Sequence, residues 1–170
     1  SINGQVGVDL DSLEVIIVSD GGERLKLKRC HELMSRLTIR YRYHKKVRGM
    51  GATRQQGMDV ATGQFITFLD VEDEFYSDRV IRHFIDVLLK SGNHQIIVGH
   101  TMELTQHDDG SQYLIDRGYD QHYAGGKWFN RKFLANYQLK WRDDLHAYED
   151  MYFIGTAFKL ATNISYCELI

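Results

Sequence analysis

Proline is missing from this sequence of 170 residues, although average usage of about 5% would give roughly eight. Cysteine is scarce as well. Cys30 and Cys167 lie far apart, without the spacing of a metal site, which favours a reduced, cytoplasmic protein. No run of about 18 apolar residues is present, so no membrane-spanning helix is predicted. Neither sign of charge dominates, because 21 Lys and Arg face 23 Asp and Glu, and this balance gives no indication of a nucleic-acid partner.

The missing proline has two interpretations. Either the protein avoids proline, or the sequence is part of a longer domain whose proline-bearing ends lie outside it. The sequence closes on the apolar stretch ISYCELI, which is more typical of a strand inside a domain than of a natural tail. We therefore expect a domain that is clipped at both ends.

The apolar content is sufficient for one hydrophobic core. Hydrophobic residues make up 43% of the sequence and charged residues 26%, a composition that excludes intrinsic disorder. The length is that of one ordinary domain, and no repeat, low-complexity stretch or linker divides it. We expect residues 1–170 to form a single domain.

Strand-like and helix-like segments alternate over the first hundred residues. Short apolar runs at residues 13–18 (LEVIIV) and 65–69 (FITFL) predict strands buried on both faces, as in a parallel sheet. The other predicted elements are helices over 23–37, 51–61 and 148–159, a helix after Ser77 or Asp78, strands at 38–43 and 96–98, and a hairpin that joins 99–106 to 111–116. This order predicts an α/β fold with a mixed, mostly parallel sheet that is flanked by helices.

Two of the predicted strands end in acidic residues. Asp20 follows the first strand, and Asp70, Glu72 and Asp73 follow the strand at 65–69. Because ligands of open α/β sheets bind beyond the carboxyl ends of the strands, these acids are expected to face one crevice. Carboxylates repel phosphate unless a divalent cation lies between them, so the pattern indicates a site for Mg²⁺ or Mn²⁺ and a diphosphate. For Asp20 alone, a plain turn-forming role is an equally good interpretation.

Four segments occur in the order seen in a known family: VIIVSDGG (15–22), GMGATRQQGMDVATGQFITFLDVED (49–73), GGKWFNRKFL (125–134) and HAYED (146–150). Over nearly its whole length the sequence resembles the family 2 nucleotide-sugar glycosyltransferases of GT-A fold. The resemblance implies a GT-A-like single domain, with a nucleotide-binding half at 1–100 and an acceptor-side half at 101–170. It also implies transfer of a sugar, with inversion, from a nucleotide-diphosphate donor to an acceptor hydroxyl, UDP-sugars being the default donors.

The resemblance assigns roles to five acids. Asp20 matches the residue that contacts the base of the nucleotide, and Asp70 the first acid of the metal motif, near the ribose and the metal. Glu72 takes the place of the usual metal ligand, with Asp73 as the adjoining acid of the donor site. Asp150 matches the catalytic base, which would remove the proton of the acceptor hydroxyl while Mn²⁺ or Mg²⁺ offsets the charge of the departing diphosphate.

Three further residues are expected on the acceptor side: Glu149, Lys127 and Trp128. For Lys127, a solvated lysine in a turn is an equally good interpretation. For Trp128, stacking on an acceptor sugar competes with packing in the core against Phe133, and core packing is favoured. His122 and His146 lie near these segments in sequence and are the histidines of interest there.

The sequence departs from the family pattern at four positions. Ser19 and Glu72 each stand where the family has Asp, and Thr53 and Gln55 replace the Ala and Asn around Arg54. Arg54 keeps its family place near the donor, where pairing with nearby acids is favoured over binding phosphate. Ser19, Glu72 and Gln55 motivate one alternative, a catalytically degenerate domain that binds sugar nucleotides or acts as a scaffold. A second alternative is a nucleotidyltransferase, whose fold is related and which also uses strand-end acids and Mg²⁺.

The resemblance also suggests partners and location. The acceptor is expected to be a saccharide or a lipid-linked saccharide of polysaccharide biosynthesis, and the location cytoplasmic or peripheral at the inner membrane face. The basic stretch at residues 40–48 mixes Arg, Lys and Tyr, but a strand with alternating faces explains it better than a nucleic-acid patch does.

Overall fold

Strands and helices alternate along the chain in the computed structural model, which describes residues 1–90, 92–145 and 147–168. The strands within these residues are β1 (Glu14–Asp20), β2 (Thr38–His44), β3 (Phe65–Thr67), β4 (Ile96–Gly99), β5 (Met102–Gln106), β6 (Gln112–Asp116), β7 (Lys127–Asn130) and β8 (Ile164–Cys167). The α-helices are α1 (Leu27–Leu33), α2 (Met50–Val60), α3 (Val80–Lys90), α4 (Arg131–Asn136) and α5 (Glu149–Leu160). This order confirms the predicted α/β class.

The main sheet has the strand order β3-β7-β4-β8 and is mixed. β4 and β8 are parallel, as are β1 and β2 in a sheet of their own, and β5 pairs with β6 as the predicted hairpin. β7 runs antiparallel to both β3 and β4. Parallel pairs are therefore fewer than expected. The chain reaches β7 from the hairpin without the crossover helix that a parallel neighbour of β4 would require.

The first helix is shorter than its predicted span of 23–37. Gly21 and Gly22 have φ angles of 80° and 69°, a left-handed conformation that carries the chain through a turn after β1. The helix begins only at Leu27, and the preceding residue, Lys26, makes no side-chain cap. The predicted span thus included a turn at each end.

Two elements, β7 and α4, were not predicted. Asn130 ends β7 and caps α4, because its side-chain oxygen accepts hydrogen bonds from the backbone N–H groups of Lys132 (2.9 Å) and Phe133 (3.3 Å). Within the C-terminal apolar stretch, in contrast, Ile164–Cys167 forms β8 as expected. Residues 169–170 lie outside the described residues.

Both faces of the main sheet are covered, because alternate residues of each strand enter different clusters. On one face, Ile96 and Phe129 pack with α5, where Phe153 stacks on Trp141 at 4.1 Å between ring centroids. On the other face, Ile97 packs with the apolar side of α3. The first of these clusters lies beneath the candidate site.

Close packing at Gly51 fixes α2 against the segment that follows Trp141. A Cβ atom at Gly51 would lie 2.2 Å from the backbone oxygen of Arg142, which only a backbone shift can relieve. We expect Gly51→Ala to lower the free energy of unfolding by about 1–3 kcal/mol in urea titrations. At Gly57, in the same helix, the nearest atom would be Val18 Cγ2 at an ordinary 3.6 Å. Gly57→Ala is therefore expected to stabilise by up to about 1 kcal/mol, and equal effects at the two glycines would contradict this packing.

Candidate active site

One buried arginine joins acids from two distant parts of the chain. Arg54 of α2 donates from Nη2 to both carboxylate oxygens of Asp70, at 3.0 and 2.8 Å. Its Nη1 donates to Asp150 and, at 3.4 Å, to Glu149. The guanidinium also lies over the ring of Trp141, 4.9 Å from the centroid, which adds a cation–π contact. Arg54 thereby binds both Asp70, which is 16 residues away in sequence, and Asp150, which is 96 residues away.

Three elements deliver these groups. α2 begins after Gly49, whose φ of 93° suits glycine, and carries Arg54 inward. Asp70 lies three residues beyond β3, and Glu149 with Asp150 forms the first turn of α5. A helix N-terminus favours negative charge, so α5 and Arg54 both stabilise the ionised acids. Arg54 was expected to pair with nearby acids, and in the structure these acids are Asp70, Glu149 and Asp150.

The carboxyl of Asp150 has a raised pKa. Burial is the main cause, and the negative charges of Glu149 and Asp70 act in the same direction. The charge of Arg54 and a hydrogen bond from the backbone N–H of Ala124 to Oδ2 (3.2 Å) oppose the shift. A raised pKa brings a carboxylate base closer to working pH, which makes it a stronger proton acceptor.

The acids that follow β3, Asp70, Glu72 and Asp73, form a negatively charged group. Burial raises the pKa of Asp73, and the carboxylates of Asp70 and Glu72 raise it further. In the described part of the chain, no three metal-ligating side chains converge on one point. Mg²⁺, however, commonly takes only one or two carboxylates and completes its shell with phosphate oxygens and water. Asp70 and exposed Glu72 offer such hard oxygen donors, so the residues present fit a cation that arrives with a diphosphate.

Asp20 anchors a loop. His44 Nδ1 lies 2.8 Å from its Oδ1, and the backbone N–H groups of Arg48 (2.9 Å) and Gly49 (2.8 Å) donate to its carboxylate. Burial raises the pKa of Asp20, but these hydrogen bonds outweigh it and leave the pKa below the ordinary value. Asp20 therefore has a structural role that differs from forming the turn after β1, because it holds Arg48 and Gly49 and so fixes the entry to α2.

Lys127 is fully buried at the start of β7, so its interpretation as a solvated lysine is wrong. Its Nζ donates to Asp120 Oδ2 at 3.3 Å and to the backbone oxygen of Gly125 at 3.0 Å. His122 also contacts Asp120, with 3.0 Å between its Nδ1 and Oδ1. His146 lies outside the described residues.

Trp128 belongs to the core, as favoured, but its partner differs from the prediction. The indole stacks on Phe84 of α3 with 4.7 Å between centroids and an interplanar angle of 9°, whereas Phe133 packs in the cluster on the other face of the sheet. Strand alternation explains this, because Trp128 and its neighbour Lys127 point to opposite faces of β7. The expectation that Trp128 lines the acceptor side is not supported by this position.

The departure at Gln55 is accommodated structurally. Its side-chain oxygen accepts from the backbone N–H of Trp141 at 2.9 Å, and its nitrogen donates to Asp59 at 2.6 Å. Gln55 thus holds the segment that carries Trp141, whose ring contacts the guanidinium of Arg54. Sequence reasoning missed both Trp141 and Asp120, since neither lies in one of the four matching segments.

None of the helices in the described ranges is both long enough and apolar enough to cross a bilayer.

Comparison with known proteins gives a consistent result. The sequence model of the family described as "Glycosyl transferase family 2" matches residues 1–156. EpsH of Bacillus subtilis (strain 168), which is named as a glycosyltransferase, is 26% identical over 176 residues, covering 94% of this chain and 51% of EpsH. The crystal structure of S. aureus TarS 1-349 matches with a TM-score of 0.76 at 16% identity, covering 97% of this chain and 51% of that one.

A second TarS 1-349 structure, in complex with UDP-GlcNAc, matches with a TM-score of 0.74 at 15% identity, over 99% of this chain and 53% of that one. The expected GT-A-like fold is confirmed by these likenesses. The chain spans about half the length of these relatives.

Proposed function

The chain belongs to glycosyl transferase family 2, and from this premise we propose that it transfers a sugar from a UDP-sugar to an acceptor hydroxyl, with inversion and with help from a metal ion. One observation carries the proposal. Arg54 holds the strand-end acid Asp70 and the helix-start acid Asp150 on a single guanidinium. A group suited to the donor and a group suited to base catalysis are thus adjacent.

Asp150 is the base in this proposal. Its carboxylate accepts the proton of the acceptor hydroxyl, whose oxygen then forms a bond to the anomeric carbon of the donor as the bond to UDP breaks. No covalent intermediate with the protein is required, which is why one base suffices and the configuration inverts. Glu149, the neighbouring acid, also contacts Arg54, and we propose that it faces the acceptor.

Asp70 and Glu72 would hold Mg²⁺ or Mn²⁺, with Asp73 beside them. The ion, when bound, supplies positive charge for the departing diphosphate. Each oxygen of Asp70 accepts one hydrogen bond from Arg54 and keeps a second lone pair for such an ion. Glu72 is exposed to solvent, so its carboxylate is accessible to such an ion.

UDP is the proposed nucleotide because TarS, which shares the fold, is known in complexes with UDP and with UDP-GlcNAc. Residues 1–100 would bind the donor, with Asp20 near the base of the nucleotide. Residues 101–170 would face the acceptor, for which we propose a saccharide or a lipid-linked saccharide. A cytoplasmic location, at most peripheral to the inner membrane face, is part of the same proposal.

Calorimetric titration of UDP and of GDP, each with and without Mn²⁺, tests the donor site. We expect UDP to bind more tightly than GDP, and more tightly with Mn²⁺ than without it. Glu72→Ala should remove the dependence on Mn²⁺, whereas Glu74→Ala, at an exposed acid two residues further on, should keep it. Absence of UDP binding in every condition would contradict the proposal and favour a degenerate scaffold.

A further inference from the structure

Lys127 is a lysine with no solvent exposure at all. Fully buried lysines are rare unless they are paired, because an ammonium group loses its hydration on burial. Here burial lowers the pKa of Lys127, while the carboxylate of Asp120, 3.3 Å away, and the charge of Asp150 oppose that shift. The ion pair with Asp120 therefore stabilises the charged form of Lys127 inside the protein.

The pair closes a loop. Asp120 accepts hydrogen bonds from the backbone N–H groups of His122 (3.0 Å) and Tyr123 (2.9 Å), which shapes the turn at the start of residues 120–127. At the other end, Lys127 donates to Asp120 and to the backbone oxygen of Gly125. Residues 120–127 are therefore folded around the ion pair of Asp120 and Lys127.

The loop at residues 120–127 lies between the acids that follow β3 and the acids at the start of α5. A Cβ atom at Gly125 would be 3.9 Å from Asp73 Oδ2, so one part of the loop borders the strand-end acids. Ala124, which is buried, donates its backbone N–H to Asp150 Oδ2 at 3.2 Å. The other oxygen of Asp150 accepts from Arg54. The carboxylate is thus held from α2 on one side and from the loop on the other.

We propose that Lys127 and Asp120 are positioning residues, which set the orientation of Asp150 by fixing the loop that presents the N–H of Ala124. The inference rests on the proposed function, in which Asp150 is the base. Neither residue need touch a substrate. Their effect reaches the reaction through one backbone hydrogen bond, and small errors in the placement of a reacting group reduce rates strongly.

Lys127→Met tests the inference, with Lys132→Met, at an exposed lysine of α4, as the matched control. Amide hydrogen exchange is expected to accelerate at Ala124 in Lys127→Met and not in the control. The rate constant kcat is expected to fall by about 10- to 100-fold, while UDP binds within roughly twofold of the wild-type Kd, because the donor acids keep their places. Unchanged exchange at Ala124, or an unchanged kcat in a folded variant, would overturn the inference.

Asp120→Asn gives a second route should Lys127→Met not fold. The amide keeps an oxygen for the turn but removes the charge. Faster amide exchange at Ala124 and a lower kcat are again expected, both changes being smaller than in Lys127→Met. Combining Lys127→Met or Asp120→Asn with Asp150→Asn should cause no further loss of kcat, because both act through Asp150. If Asp150→Asn alone left transfer intact, the proposed function would fail, whereas the exchange result at Ala124 would still judge the role of Lys127.

Discussion

Arg54→Met is expected to lower the free energy of unfolding by about 3–5 kcal/mol, the usual cost of removing one partner from a buried ion pair. The side chain of Arg54 is only 6% exposed, and its loss would leave Asp70, Glu149 and Asp150 close together without their cation. Repulsion among three partly buried carboxylates, rather than the loss of packing, dominates the effect.

Urea unfolding at neutral and acidic pH measures this effect. In the wild type the charge of Arg54 lowers the pKa of Asp150 and of Asp73. Without Arg54 both pKa values rise in the folded protein, so the variant takes up more protons as the pH falls. Its stability deficit relative to wild type should therefore be largest at neutral pH and should shrink on acidification. Arg82→Met removes an exposed pair with Asp86 and is expected to cost less than about 1 kcal/mol. A deficit for Arg54→Met as small as that of this control would contradict the account.

Asp150→Asn is expected to reduce the rate of sugar transfer by about 10²- to 10⁴-fold, the range for loss of a general base. The amide has nearly the shape of the carboxylate but accepts no proton from the acceptor. UDP affinity should change little, because Asp150 is assigned to the acceptor and not to the diphosphate. Radiometric transfer assays alongside UDP calorimetry measure the two effects separately.

Two controls accompany Asp150→Asn. Asp143→Asn changes an acid whose side chain is 66% exposed and should leave the rate unchanged. Glu149→Gln removes the negative charge 3.4 Å from Arg54 but keeps an oxygen that can accept the same hydrogen bond. It should have a much smaller effect than Asp150→Asn, since Glu149 is not the base. A larger loss for Glu149→Gln would move the base to the neighbouring residue.

The pH dependence of transfer follows from the same carboxyl. Burial together with Glu149 and Asp70 raises the pKa of Asp150 above the ordinary 3.8. Only the ionised form acts as a base, so the rate should be full above the raised pKa and should fall as the pH drops through it. The acid limb is thus expected at a higher pH than for an ordinary aspartate.

The sequence was most informative where apolar residues form a continuous run or recur at helical spacing. The apolar runs around Val15 and Ile66 predicted β1 and β3, and the 3–4 spacing of Ile81 and Phe84 predicted α3. Such patterns report which faces of an element are buried. Both faces of the main sheet are buried, so its apolar strands are visible in the sequence. β7 escaped prediction because its four residues include a lysine, and a short strand with a buried charge has no apolar signature.

The candidate site, like the fold, could be predicted only in part. Asp70 and Asp150 were identified as candidates by the family pattern, and Arg54 was expected to pair with nearby acids. Their convergence depends on how α2 and α5 pack, since 96 residues separate Arg54 from Asp150. The burial of Lys127 could not be predicted either, because its partner Asp120 lies in a turn whose sequence matches no motif.

The stereochemistry of the product tests the central claim most directly. The chain would be incubated with an α-linked UDP-sugar, Mn²⁺ and a panel of saccharide and lipid-linked saccharide acceptors, and the anomeric configuration of the product followed by NMR. Direct displacement with Asp150 as the base predicts a β-linked product and release of one UDP for each bond formed. An α-linked product, or bound UDP-sugar that is never transferred to any acceptor, would contradict it.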